Sequence, residues 1–263
     1  MIDLQVIGGG RMGEALVSGL LRAGGHRAID LRIVEPDVAR REALVQIFPG
    51  VELTSTPGEA AGTVIAVKPG EVAGVCRIAG VAGAGRVLSI AAGVTLAALE
   101  THLPDGTAVV RAMPNTPAVV GLGASAIAPG SGAREQDLVW AEELLGAVGT
   151  VVRVEEAKLD AVTGLSGSGP AYVFLVAEAL IEAGGQSGLP TEVSRALSIQ
   201  TLLGAATLLA RGEQSPEALR DAVTSPGGTT AAGLRVLEDR GVRAAFVAAV
   251  AAAAARSGEL GQS

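Results

Sequence analysis

Residues 2–25, IDLQVIGGGRMGEALVSGLLRAGG, constrain this chain more than any other stretch. An apolar, β-branched run passes at once into Gly8-x-Gly10-x-x-Gly13 and then into a helical pattern with Leu16 and Leu20 on one face. Glycines at those offsets allow a tight turn, close approach of the backbone to a ligand and close packing of helix on strand, while the helix N-terminus favours negative charge. A chance glycine-rich turn would have no reason to fall between a first strand and a first helix. The segment reads as the opening of a dinucleotide-binding βαβ unit.

The alternation continues. DLRIV, TVIAV, RVLSI, TAVVRA, ASAIA and TVVRV are separated by helical patterns up to about residue 155, which implies a mostly parallel sheet covered by helices. After Lys158 the strand signals stop and glycine and proline turns punctuate helices. The expected organisation is an α/β Rossmann-type dinucleotide-binding domain over residues 1–157, then an all-helical substrate and dimerisation domain over 158–263. Ala196 to Ala210 carries no charge and Ala244 to Ala255 is mostly alanine, so both are expected to be helices buried on most sides, in part by a second subunit.

Composition removes several classes of function. A net charge of −7, with one Trp, one Tyr and three Phe, offers nucleic acid neither a basic footprint nor a stacking platform. Cys76 is the only cysteine, so no internal disulfide and no cysteine-rich metal site can form; a reducing cytoplasm fits, and no metal is expected. The start lacks the basic and long apolar regions of a signal peptide. Of three uncharged stretches, Ala112 to Ala133 contains three prolines, Ala161 to Ala177 is expected to be broken by SGSGP, and Ala244 to Ala255 falls short of the ~20 residues of a membrane span. No bilayer crossing is expected.

Glu35 ends the second strand, 22 residues after Gly13, where an acidic side chain accepts hydrogen bonds from the adenosine ribose. That leans the cofactor toward NADH, since a 2′-phosphate would meet a carboxylate. Arg40 and Arg41 leave the preference open: they read either as a solvated helix face or as partners for that phosphate. TVIAV runs into Val67-Lys68-Pro69, beyond the carboxyl end of a strand, where open α/β sheets place ligand contacts. Lys68 reads equally as a cleft residue or as a solvent-facing strand end.

Further along, GGGRMGEAL, AVKPG, SIAAGVTLAALE, VVRAMPNTPAVVGLGASA, GLSGSGPAYVF, GLP, LLGAATLL and PEALRDAVTSPGGTTAAGLRVLE occur in one order. Together they closely resemble the pyrroline-5-carboxylate reductase family, nearly from end to end. The resemblance implies reduction of 1-pyrroline-5-carboxylate to L-proline by NAD(P)H, in an intertwined helical dimer or a higher oligomer of dimers. It implies cofactor contacts from Gly8, Gly10, Arg11, Met12 and Gly13, from Glu35, from Val67, Lys68 and Pro69, and from Asn115 on the MPNTP loop beside the nicotinamide. It implies a substrate carboxylate held by Ser225, Gly227, Gly228, Thr229 and Thr230, with Thr230 near the ring nitrogen as the catalytic residue. The nicotinamide loop of one subunit is expected to face the SPGGTT loop of the other.

Read without the resemblance, Asn115 also suits closure of an Asx turn, and SPGGTT suits an interhelical turn with a Ser or Thr cap. GLSGSGP reads first as a packing motif, Tyr172 as a packed residue, and His26 and His102 as surface residues. Two rival functions fit the same outline. A β-hydroxyacid dehydrogenase would carry a lysine soon after GLSGSG, and none lies between Gly164 and Arg195. A redox-sensing protein that had lost turnover would have no need of intact MPNTP and SPGGTT loops.

Overall fold

The computed structural model describes residues 2–261. Its chain divides into two compact units, one containing everything up to Ser168 together with the chain from Val250 on, the other running Gly169–Ala249.

In the first unit β1 (Leu4–Ile7), α1 (Arg11–Ala23), β2 (Leu31–Val34), α2 (Val38–Ile47), β3 (Glu52–Thr54), β4 (Ala60–Ile65), α3 (Val72–Val81) and β5 (Ala84–Ser89) alternate, followed by α4 (Leu96–Thr101), β6 (Ala108–Met113), β7 (Gly123–Pro129), α5 (Glu135–Gly146) and β8 (Gly149–Arg153). They form one sheet of order β3-β2-β1-β4-β5-β6-β7-β8. All neighbours are parallel except β6 and β7, which pair antiparallel from Val110↔Pro129 to Met113↔Ala126. The exception has a local cause. Only MPNTP and a 3-10 turn over Thr116–Val120 join these two strands, and parallel pairing needs a longer crossover.

Successive strand residues face opposite sides of the sheet, so an interior sheet needs apolar residues at every position. Val64, Leu88, Val110 and Ile127 join Leu16, Leu20, Leu44, Trp140 and Leu144 on one side. Their neighbours Ile65, Val87, Val109, Ala126 and Ala128 join Val72, Cys76, Leu99 and Leu159 on the other. Helices α1, α2 and α5 therefore cover one face, and α3, α4 and α6 (Leu159–Val162) the other. All seven expected strands are present. The eighth, β3, is short, and its Glu-Leu-Thr sequence carries none of the apolar pattern that marked the rest.

Beyond α6 the chain does not break at SGSGP. A π turn over Thr163–Gly167 carries it into α7 (Gly169–Gln186), correcting the expected interruption. As a result Glu156–Gln186, like α8 (Thr191–Ala210), has the length and apolar composition of a membrane span. The second unit continues with α9 (Pro216–Ala222), α10 (Thr229–Asp239) and the first part of α11 (Val242–Leu260). Helices α7 and α8 approach closely where Gly184 lies against Ser194: a Cβ on that glycine would stand 2.5 Å from Ser194 Oγ. Leu197 and Leu203 in the uncharged stretch of α8 and Val247 in the alanine-rich stretch of α11 stay exposed in the single chain, so burial on most sides of these two stretches is not met within one copy; on α7, for which no such burial is expected, Phe174 and Leu175 are exposed too.

The far end of α11 belongs to the first unit, where Ser257 Oγ donates to Asp160 Oδ1 at 2.7 Å and a Cβ on Gly164 would lie 2.5 Å from the Val250 carbonyl. Cys76, fully buried on the sheet-facing side of α3, has its thiol pushed up to about 11 by desolvation. Below that pH it stays protonated and hidden, so a thiol reagent at pH 8 is expected to leave the native protein unmodified and to titrate one thiol per chain after denaturation. Rapid native labelling would show that the sheet-facing side of α3 is open to solvent.

Candidate active site

The sheet order reverses direction between β1 and β4, the position at which a doubly wound sheet opens a crevice at its carboxyl edge. A cleft of about 560 Å³ lies there, bordered by Gly8 and Gly10 after β1, Glu35 and Pro36 after β2, Ser55, Thr56 and Pro57 after β3, and Val67 and Lys68 after β4. Lys68 thus lines the cleft, and Pro69 begins the 3-10 turn behind it.

The glycines do separate jobs. Gly8 has φ +109, and a Cβ there would strike the Ala66 carbonyl. At Gly13 a Cβ would strike the Gly8 carbonyl, so its absence lets α1 sit directly on the turn. Around Gly10 a Cβ would meet nothing within 4 Å, and no side chain caps α1. The first-turn N–H groups of α1 are therefore presented across open space, which suits a phosphate. Met12 packs against the core and Arg11 is exposed.

Glu35 is built into this turn. Its Oε2 accepts from Gly9 N at 3.0 Å and its Oε1 from Asp37 N at 2.9 Å. Neither arginine stands on a merely solvated face. Arg40 Nε donates to Gly9 O at 2.7 Å and its guanidinium pairs with Glu14, while Arg41 Nη1 donates to the carbonyls of Glu35 at 2.6 Å and Pro36 at 2.8 Å. Sequence reasoning missed this network because its acceptors are mostly backbone oxygens, which residue type does not reveal.

On the other side of the sheet midline, Asn115 is nearly buried between the β6 loop and the π turn. Its Oδ1 accepts from Ala124 N at 2.8 Å and its Nδ2 donates to Ser166 O at 3.0 Å, so it does not close an Asx turn. Arg111, in β6 just before the MPNTP run, also has a partner of its own. It is 7% exposed and reaches Glu156 at 2.8 Å, and the same carboxylate oxygen accepts from Leu96 N at 2.7 Å, joining β6 to α4 and to the approach to α6. Glycines and prolines flagged this region, but nothing in spacing linked Arg111 to a glutamate 45 residues later.

In the second unit Ser225-Pro226-Gly227-Gly228 turns into α10. Gly227 has φ +71, and Gly228 is the N-cap with no side-chain cap, so the Ser or Thr cap considered for this turn is absent. The N–H groups of Thr229 and Thr230 open the helix, and Thr230 is half-buried. His26 and His102 lie outside both regions. Among the described residues no cluster of three His, Cys, Asp or Glu side chains is placed to hold a metal ion.

The doubly wound sheet and its glycine-lined crevice define a nucleotide-linked oxidoreductase, and residues 3–93 match the family described as NADP oxidoreductase, coenzyme F420-dependent. Residues 156–260 match the family described as pyrroline-5-carboxylate reductase dimerisation, which marks the chain as self-associating. A pyrroline-5-carboxylate reductase of Synechocystis is 44% identical over 99% of both chains. A solved structure of a pyrroline-5-carboxylate reductase from Coxiella burnetii superimposes with a TM-score of 0.90 at 36% identity, covering 98% of each chain. The corresponding Plasmodium falciparum structure, with NADP bound, gives 0.84 at 30% identity over 99% of this chain and 98% of that one. The chain belongs to the pyrroline-5-carboxylate reductase family.

The different surroundings of the glycines have a measurable consequence. Gly13→Ala is expected to lose about 1–3 kcal/mol of stability through overpacking against the Gly8 carbonyl, whereas Gly10→Ala, facing open space, is expected to unfold like the parent but bind dinucleotide more weakly. Denaturant midpoints and cofactor titration of both variants check this, and equal stability of the two would contradict the packing described.

Proposed function

We propose that this chain reduces 1-pyrroline-5-carboxylate to L-proline with hydride from NAD(P)H, the last step of proline biosynthesis. The observation that carries the reading is likeness to reductases of that name along almost the whole chain, at 44% identity over 99% of it in one case. We place the working boundary at residue 157, with residues 1–157 holding the cofactor and 158–263 supplying the substrate loop and the surface for self-association. The exposed apolar side chains of α7, α8 and α11 suit burial against a second copy rather than a bilayer, in a homodimer or a higher oligomer of dimers in the cytoplasm.

The residues present fit the cofactor. Open space at Gly10 and the uncapped start of α1 suit a pyrophosphate, held by the backbone of Gly8, Gly10, Arg11, Met12 and Gly13. Glu35 would take the adenosine ribose, and Val67, Lys68 and Pro69 the wall of the cleft. Asn115 stands at the nicotinamide end. When bound, the reduced nicotinamide supplies the hydride. The protein's own contribution is alignment and exclusion of water. Ser225, Gly227, Gly228, Thr229 and Thr230 cradle the substrate carboxylate at the start of α10, whose N–H groups no side chain occupies. A cyclic imine is basic enough to arrive protonated, so Thr230 need only orient the ring nitrogen.

Two features favour NADH. The Glu35 carboxylate, fixed by Gly9 N and Asp37 N, would repel a 2′-phosphate, and Arg40 and Arg41 already serve protein acceptors.

Purified protein is expected to oxidise reduced nicotinamide cofactor only when pyrroline-5-carboxylate is supplied. Thr230→Ala should lower kcat/KM for the imine roughly ten- to hundredfold, the worth of one hydrogen bond made in the transition state, with cofactor affinity retained. Tight cofactor binding without turnover would replace the enzyme reading with a sensor. Glu35→Ser is expected to raise kcat/KM with NADPH relative to NADH, while loosening the glycine turn and weakening both. An unchanged ratio would show that Glu35 does not read the ribose.

A further inference from the structure

The π turn has a chemical cause in the sequence. In a regular α-helix the carbonyl of Ser166 would accept from the N–H of the residue four positions on, but that residue is Pro170, which has none. The helix widens at this point, with Ser168 N donating to the Thr163 carbonyl at 2.8 Å. That carbonyl is denied the regular helical bond, and a side chain donates to it: Asn115 Nδ2 reaches Ser166 O at 3.0 Å. The other end of the same amide accepts from Ala124 N at 2.8 Å. A second contact lies alongside, because a Cβ on Gly167 would stand 2.7 Å from Met113 Cε. The MPNTP loop and the π turn are thus joined by one hydrogen bond and one steric fit, all within the first unit.

The joint borders a groove. Thr163 in the turn and Ser168 just after it line a groove of about 710 Å³ beyond the carboxyl ends of β4 and β5, with Pro69, Gly70 and Gly93 on one side and Ser257 of α11 on another. We propose that Asn115 is a positioning residue whose carboxamide replaces the N–H that Pro170 lacks, and so holds the π turn as a fixed wall of the reaction groove. Its contribution to turnover runs through the Ser166 carbonyl. Reaction at this groove rests on the reductase reading above; the link between Asn115 and the π turn does not.

Asn115→Asp keeps the acceptor for Ala124 N but turns a carboxylate oxygen toward the Ser166 carbonyl. In the cofactor-free protein it is expected to speed hydrogen exchange of the Ser168 amide by about tenfold or more, by local opening of the turn. In turnover it should lower kcat by about ten- to hundredfold, with the ratio of NADH to ADP-ribose affinity unchanged. Adding Pro170→Ala to the Asp variant supplies a backbone N–H four residues after Ser166 and should recover at least about fivefold of both losses. Gly167→Ala, which leaves every polar group in place and pushes on Met113, should reproduce the exchange and kcat changes and serves if the Asp variant does not fold. The proposal is overturned if Ser168 exchange is unaltered in the variant that folds, if Pro170→Ala brings no recovery, or if Asn115→Asp selectively weakens NADH relative to ADP-ribose, which would mean direct contact with the nicotinamide. Failure of the wild-type protein to turn over pyrroline-5-carboxylate would instead sink the reductase reading and leave the exchange result standing.

Discussion

The carbonyl of Gly8 has almost no room around it, and much of the first unit follows from that. The turn after β1 must bend with positive φ at Gly8 while α1 begins with Gly13 pressed on the same carbonyl. Any side chain at position 13 would lift α1 from the sheet, and with it Leu16 and Leu20, which are buried at 2% and 3% exposure. Because α1 lies directly over the strand, its uncapped N-terminus faces the gap between β1 and β4 rather than solvent at large. Packing and ligand geometry are the same constraint here, met by removing one Cβ.

Charge is arranged around that turn so that little of it is left to chance. Glu35 braces Gly9 and Asp37 through backbone N–H groups, Arg40 braces the Gly9 carbonyl, and Glu14 on α1 completes the link to Arg40. Charged groups hydrogen-bonded to backbone are stronger than neutral pairs and fix orientation as well as position. This chain has a net charge of −7, so a pyrophosphate has to be accepted against an unfavourable overall field. On the reading proposed above, locally oriented N–H groups at α1 do that without a cluster of free cations.

The sheet was readable because its interior strands are apolar on both faces, as Val64-Ile65 and Val87-Leu88 show by dividing between the two cores. Strand β3 escaped because it is three residues long at the sheet edge, where one polar face is tolerated. The glycine turn and the place of Glu35 at a strand end were legible from spacing, whereas spacing left Lys68 open between cleft and solvent, and only the folded cleft puts it on the wall. Partners distant in sequence were not: Arg111 with Glu156, and Asn115 with Ser166, depend on how β6 meets the approach to α6. SGSGP looked like a helix break because proline forbids the regular ladder, and residue type gives no sign that a side chain 51 positions earlier repairs it. The SPGGTT loop acquired a ligand reading only through likeness to a family, because a small-residue turn before a helix is common and its meaning lies in what approaches it.

Helix α11 starts in the second unit and ends in the first, where Ser257 meets Asp160 and Val250 lies against Gly164. On the ribosome the chain emerges from its N-terminal end, so the sheet and its covering helices are exposed for as long as it takes to synthesise residues 169–249 before their remaining piece appears. At about 5–20 residues per second that interval lasts on the order of several seconds. During it the groove face of the sheet unit lacks the stretch of α11 that carries Val250 and Ser257.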